Sequence, residues 1–289
     1  MSQNPTNIAA SVRQRLLNLA RERKEDFQQV LTRFALERLL YRLTLSQHAG
    51  RFVLKGALLF RLWFDLEQRP TRDADFLGLG SADPKDLALI FREVASINPE
   101  HPDGLQFDLD SIEAVEIRKE AGYPGVRVTL DASLAVARIA IQCDIGFGDA
   151  VTPAPTTKSY PTLLKMPAPK LRVYPLETVV AEKLEAIVKL AGFNSRMKDF
   201  FDLWVLSEYE RLDHDLLPAA VSATFKRRKT ALPARDPVGL TDEFAVQKQT
   251  AWSAFIRRSG LKAPALKEVV SALRKTYLPI LAAARKDGQ

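Results

Sequence analysis

The sequence predicts an α/β (α+β) N-terminal lobe with a mixed sheet, residues 1–160, followed by a basic, mainly α-helical C-terminal lobe, residues 161–289. Three observations carry this bilobed prediction. Short apolar and alternating segments mix with helical ones between Phe52 and Phe147; six prolines crowd positions 153 to 175; helical spacing takes over afterwards. Alternation reads as strand because successive side chains leave opposite faces of a sheet, and 3.6-residue spacing reads as helix because such residues share a stripe.

Two helices come first, from about Ile8 to Arg23 and from Lys24 to Leu45, the second with Phe27, Val30, Leu31, Phe34 and Ala35 as its core-facing stripe and Leu39 at the margin. The apolar run Phe52-Val53-Leu54 then leads into Lys55-Gly56-Ala57, after which Leu58, Leu59, Leu62 and Trp63 recur at helical spacing, as expected for a turn opening onto a helix. A polar turn, Arg69-Pro70-Thr71-Arg72, enters the alternating segment Asp73-Ala74-Asp75-Phe76-Leu77. A helix near Pro84 to Ile97 follows, then strands around Leu105 to Leu109, Ala114 to Arg118, Val126 to Leu130 and Ala135 to Phe147, which make a mixed or antiparallel sheet. Prolines 153, 155, 161, 167, 169 and 175 disfavour helix and mark a stiff, extended crossover between two lobes that would face each other across a cleft. Beyond it, helices are expected at Glu177–Ala191, Arg196–Leu206, Leu216–Arg228, Asp242–Ser259 and Ala265–Ala284.

The chemistry concentrates in the first lobe. A helix start at Gly56 offers free N–H groups to phosphate oxygens, Gly56 lets a phosphate approach the backbone, and Lys55 supplies a positive charge beside it. Period two puts Asp73 and Asp75 on one strand face, where two carboxylates repel unless a cation lies between them. Mg2+ suits that pair, since it takes carboxylate and phosphate oxygens together; the alternative is a solvated edge strand. Asp144 sits in the apolar run Arg138 to Phe147, where an ionised acid needs a counter-charge or a metal, so it is read as a third metal ligand against the alternative of a structural acid. Asp149 lies beyond that strand, where capping is the simpler role.

In the second lobe, Val180, Leu184, Ile187 and Ala191 form one helix stripe, and Lys183 borders it, able to pack its stem while the ammonium reaches a cleft, pairs with an acid or returns to solvent. Asp199 and Asp202, three apart near the start of the next helix, can serve the helix dipole or a site. Residues 211–289 hold 15 Lys/Arg against 7 Asp/Glu, while the whole chain is only +7, so the positive excess belongs here. Lys226-Arg227-Arg228-Lys229 and Arg257-Arg258 are dense enough to contact a phosphate backbone. Trp252, Phe255 or Tyr277 could stack on a base, or belong to the core.

Other classes are disfavoured. One cysteine, Cys143, excludes an intramolecular disulfide and a cysteine metal cage, and reads as a buried strand residue. His48, His101 and His214 are scattered, giving no support to zinc chemistry, and Gly78-Leu79-Gly80 lacks the third glycine of a dinucleotide fingerprint. No apolar signal core and no stretch of roughly 20 apolar residues is present, so a cytoplasmic protein without membrane contact is expected.

These motifs resemble the nucleotidyltransferase superfamily and, more narrowly, the AbiEii/AbiGii toxin family. The resemblance rests on Phe52-Val53-Leu54-Lys55-Gly56, Arg69-Pro70-Thr71-Arg72-Asp73-Ala74-Asp75, Asp144-Ile145-Gly146-Phe147-Gly148-Asp149, Ala181-Glu182-Lys183-Leu184 and Arg196-Met197-Lys198-Asp199-Phe200-Phe201-Asp202-Leu203, in order from about residue 30 to residue 206. It implies a nucleotidyltransferase-like first lobe, a nucleoside triphosphate substrate held by Lys55, Gly56, Ala57 and Lys183, and Mg2+ on Asp73, Asp75 and Asp144. It singles out Asp199, orienting Lys183 or accepting the acceptor's proton, with Asp202 in support. A tRNA 3′ end as acceptor, blocked translation and a cognate antitoxin are implied too. Ala57 departs from the pattern, which commonly has a second Gly or a Ser there, so a hydroxyl contact to phosphate is lacking. Transfer to a protein or small molecule, and nucleic-acid binding without catalysis, are the competing expectations.

Overall fold

The computed structural model describes residues 5–64, 71, 73–118, 124–208 and 212–287. Arg69, Pro70 and Arg72 of the polar turn lie outside them. The chain divides into two compact units, one of residues 1–148 and 156–173, the other of residues 149–155 and 174–289.

The first unit opens with α1 (Pro5–Arg23) and α2 (Phe27–Leu45). The break between them is local: Lys24 turns left-handed with φ 55°, and the Asp26 side chain accepts from the Gln29 N–H at 2.9 Å to cap α2. The expected single stripe on α2 is corrected. Arg33, Glu37, Arg38 and Arg42 are buried along with Val30, Leu31, Phe34 and Ala35, because α1, a further helix and two strands pack around α2. These charges are matched internally. Arg42 grips both oxygens of Asp103 at 2.7 and 3.1 Å, Arg33 pairs with Glu25, and Glu37 accepts from the Leu163 N–H at 2.6 Å. Burial raises the Glu37 carboxyl to about 7 against the opposing charge of Arg38.

Then come β1 (Phe52–Lys55), a 3-10 turn at Gly56–Leu59, the one-turn α3 (Phe60–Trp63), β2 (Asp73–Gly78) and α4 (Pro84–Ser96). The helix expected after Gly56 is therefore short and begins as a 3-10 turn. Three long strands follow, β3 (Leu105–Arg118), β4 (Pro124–Leu134) and β5 (Ala137–Phe147). The two strands expected within 105–118 are one, interrupted between Asp108 and Glu113, where the Ser111 hydroxyl donates to the Asp108 carbonyl and accepts from the Asp131 N–H. The strand expected from Ala135 starts at Ala137, since Ala135 turns with φ 51°.

The proline-rich stretch is not a featureless crossover. It contributes β6 (Thr156–Ser159) and β7 (Lys170–Val173), which pair antiparallel, with β7 parallel to β1. Among the described residues the sheet runs β3-β4-β5-β2-β1-β7-β6, mixed because β2 and β5 are also parallel. One face carries the core, with Phe52, Phe76 and Phe91 edge to face.

The second unit comprises α5 (Leu176–Leu190), α6 (Met197–Ser207), α7 (Leu217–Arg228), α8 (Asp242–Ser259) and α9 (Leu266–Asp287). Segment 149–155 is tied to α5 by Thr178, whose hydroxyl accepts from the Thr152 N–H and donates to the Thr152 carbonyl. Trp252 and Tyr277 are core residues, the second of the two roles that the sequence left open to them. Both are at most 2% exposed, and their polar tips donate to the carbonyls of Pro264 and Leu203. Phe255 packs against Phe201 and Trp252. Among the described residues no helix is long and apolar enough to cross a membrane.

Candidate active site

Strand register assembles the first cluster. Lys55 of β1 pairs with Asp75 of β2, Asp75 with Asp144 of β5, and Asp144 with Arg127 of β4. Paired residues point to the same side of a sheet, so these four form a row reading positive, negative, negative, positive across adjacent strands. Asp73 joins the face two residues before Asp75, opposite Gln142. The intervening Leu54, Ala74, Phe76, Cys143, Ile145, Val126 and Val128 point the other way and are buried. The apolar half of each alternation thus anchors the strands, and the polar half is held as a group.

Lys55 is 7% exposed and closes β1, next to a backbone turn that only glycine suits. Gly56 has φ +75°, and a Cβ there would lie 2.3 Å from Asp75 Oδ2 and 2.9 Å from its Cβ and Cγ. The Asp75 carboxylate rests over that Cα. Gly56→Ala should therefore cost roughly 1–2 kcal/mol of stability through its left-handed backbone, and on the order of a hundredfold in turnover through displacement of the carboxylate. Thermal melting and initial rates check this, and turnover within a few-fold of wild type would contradict it. Ala57 follows in the 3-10 turn.

Asp73 is held by Thr71, whose hydroxyl donates to Oδ1 at 3.0 Å. Arg127 forms a parallel fork with Asp144, Nε to Oδ1 and Nη2 to Oδ2, both 2.9 Å. That hydrogen bond, and then the charges of Asp144, Asp73 and Asp75, raise the guanidinium's proton affinity against its partial burial. The Cys143 thiol is pushed up by burial and then by the same three acids, which places all of them near one point of the sheet. Asp73 and Asp75 fit a divalent cation of the kind that uses one or two carboxylates and completes its shell with phosphate oxygens. Among the described residues no three His, Cys, Asp or Glu side chains form a ready-made metal cage. Both oxygens of Asp144, the expected third ligand, are engaged by Arg127.

The second unit holds another charged group. Lys183 on α5 reaches Asp199 Oδ1 at 2.9 Å and Asp202 Oδ2 at 2.8 Å on α6, and Arg196 Nε donates to Asp199 Oδ2 at 2.6 Å. Both acids are 0% exposed. Burial pushes the Asp199 carboxyl up, but Lys183 and Arg196 outweigh it and hold the group at about 2. An acid so depressed, with both oxygens occupied, is poorly suited to accept a proton near neutral pH and well suited to fix Lys183.

Arg228 departs from the expected basic surface. It bonds Asp149 at 3.1 Å, Glu182 at 3.1 Å and Glu185 at 3.0 Å, with Thr230 also donating to Glu185. Asp149 is thus an ion-pair partner in the second unit. The helical spacing of Val221, Phe225 and Arg228 already puts Arg228 on the buried stripe. Lys226, Arg227, Lys229, Arg257 and Arg258 are exposed at the C-terminal ends of α7 and α8. Sequence reasoning missed Arg127, although the alternation Val126-Arg127-Val128 placed it on the polar face.

Comparison with known proteins identifies a family and a shared fold. The family described as "Nucleotidyl transferase AbiEii toxin, Type IV TA system" matches residues 38–275. No curated protein matches the chain. Two crystal structures from H. pylori share the fold at 16% identity: a candidate nucleotidyltransferase, with a TM-score of 0.50 over 91% of this chain and 99% of its own, and JHP933, with a TM-score of 0.52 over 91% and 95%.

Proposed function

The chain belongs to the AbiEii family of nucleotidyl transferase toxins of type IV toxin–antitoxin systems, and from that premise we propose that it is a Mg2+-dependent enzyme transferring a nucleoside monophosphate from an NTP to RNA, specifically the tRNA 3′ acceptor end, so that translation is blocked. The observation that carries the reading is the row of Lys55, Asp75, Asp144 and Arg127, with Asp73 on the same face and Gly56 beneath the Asp75 carboxylate.

Asp73 and Asp75 would hold Mg2+, with Asp144 as the further carboxylate; bound there, the metal supplies charge neutralisation for phosphate and a more acidic acceptor hydroxyl. Lys55 and the open backbone at Gly56 bind the triphosphate, and Lys183 is the second cation assigned to it. Asp199 and Asp202 fix the Lys183 ammonium, so its direction is set before substrate arrives. The acceptor hydroxyl gives up its proton to solvent and its oxygen forms a bond to the α-phosphorus as the bond to pyrophosphate breaks.

The exposed cations Lys226, Arg227, Lys229, Arg257 and Arg258 support a polyanionic acceptor. Reversing Lys226 and Arg227 to Glu should weaken tRNA binding and reduce its log–log salt slope by about 1.4 if both meet single-stranded phosphates. Filter binding across a salt series checks this, and an unchanged slope would contradict it. Arg228 is left intact because its reversal would break the buried acid cluster. A cognate antitoxin is the partner that the family implies.

The deciding assay mixes the protein with each labelled NTP, Mg2+ and total tRNA. Label on tRNA is expected. Label on a protein or a small molecule would replace the acceptor in this reading, and no label anywhere would leave nucleic-acid binding alone.

A further inference from the structure

The Arg127–Asp144 fork puts a fixed cation on a carboxylate expected to meet a metal. The two groups differ in freedom: the Asp144 side chain is 12% exposed and anchored in β5, whereas that of Arg127 is 39% exposed and can swing toward solvent. Charge limits what such a swing allows. Lys55, Asp73, Asp75, Asp144 and Arg127 together carry one net negative charge, and without Arg127 the remainder carries two, which one divalent cation neutralises. Arg127 and a divalent metal are therefore alternative occupants of one electrostatic need. A planar guanidinium that leaves a carboxylate is matched in shape to phosphate oxygens.

We propose that Arg127 is a positioning residue that competes with the metal for Asp144 and exchanges this carboxylate for the triphosphate when nucleotide enters, so that metal and nucleotide bind cooperatively. The inference rests on the metal-site reading above and concerns how that site is kept closed until substrate is present. It follows that without triphosphate Arg127 closes Asp144 to the metal, which is left with Asp73 and Asp75. With triphosphate, Arg127 has a better anion to hold and Asp144 becomes available. Linkage makes the effect reciprocal: metal should strengthen triphosphate binding by the same factor.

Mn2+ binding followed by electron paramagnetic resonance tests this on wild type, Arg127→Met, Arg127→Lys and Asp75→Asn, with and without inorganic triphosphate and with chelation of free Mn2+ subtracted. Arg127→Met should bind Mn2+ on the order of tenfold more tightly than wild type without triphosphate, and triphosphate should add less to its affinity than to that of wild type. Arg127→Lys, which keeps the strand's charge and so its folding, should fall between the two because it lacks the fork. A residue that served only the fold would not tighten metal binding when removed. Equal or weaker Mn2+ binding by both Arg127 variants, with binding still lost in Asp75→Asn, would overturn the proposal and leave the metal site standing. Absence of Mn2+ binding in wild type and variants alike would remove the site and the proposal with it.

Discussion

Asp75→Asn should lower nucleotidyl transfer by at least about a thousandfold, or about 4 kcal/mol of activation free energy, while tRNA affinity stays at the wild-type value. Asparagine keeps the shape of the side chain, so the contact over Gly56 and the β1–β2 register persist. What disappears is the charge of one of the two carboxylates assigned to Mg2+, at the position between Lys55 and Asp144. The melting temperature should change little, because the substitution relieves repulsion from Asp144 while it weakens attraction to Lys55. Initial rates, filter binding and a thermal melt together check the three parts. Equal losses of catalysis and RNA affinity would contradict the division between the carboxylate row and the exposed cations of α7 and α8.

Asp199→Asn acts through stability and substrate affinity together. Asp199 is fully buried and takes a bond from Lys183 on one oxygen and from Arg196 on the other. Removing its charge leaves two cations facing a neutral amide, and breaking a buried pair from one side typically costs about 3–5 kcal/mol. The pH dependence has a defined sign. The folded carboxyl is held at about 2, below its usual value of 3.8, so its contribution is full above pH 3.8 and is lost as pH falls through 2. Wild type should therefore lose stability across that window more steeply than the Asn variant. If Asp199 positions Lys183, the variant should raise KM for the NTP and leave the acidic limb of the rate profile in place. Disappearance of that limb with KM unchanged would make Asp199 the proton acceptor instead.

The sequence was most legible where local rules act. Alternation placed Asp73 and Asp75 on one face, Gly56 marked the turn, and the helices of the second unit appear within one to three residues of their expected limits, capped by residues such as Thr241 and Gly260. What escaped depends on contacts distant in sequence. Arg127 is an unremarkable strand residue until β4–β5 register sets it opposite Asp144. Arg228 looks like one more member of a basic run, yet it turns inward to Glu182 and Glu185 on α5. In α2 the expected apolar stripe gave no sign that Arg42 and Glu37 are buried too, met by Asp103 and the Leu163 N–H from elsewhere in the chain. Strands β6 and β7 have only four residues each among prolines, too few for alternation to show.

A crystal grown with Mn2+ and a non-hydrolysable NTP analogue, read by anomalous scattering, addresses the carboxylate row without any assay of turnover. An anomalous peak within coordination distance of both Asp73 and Asp75, with the triphosphate lying over the Gly56 turn near Lys55, is the result this account predicts. A metal peak away from both carboxylates, or a triphosphate seated elsewhere on the chain, would contradict it.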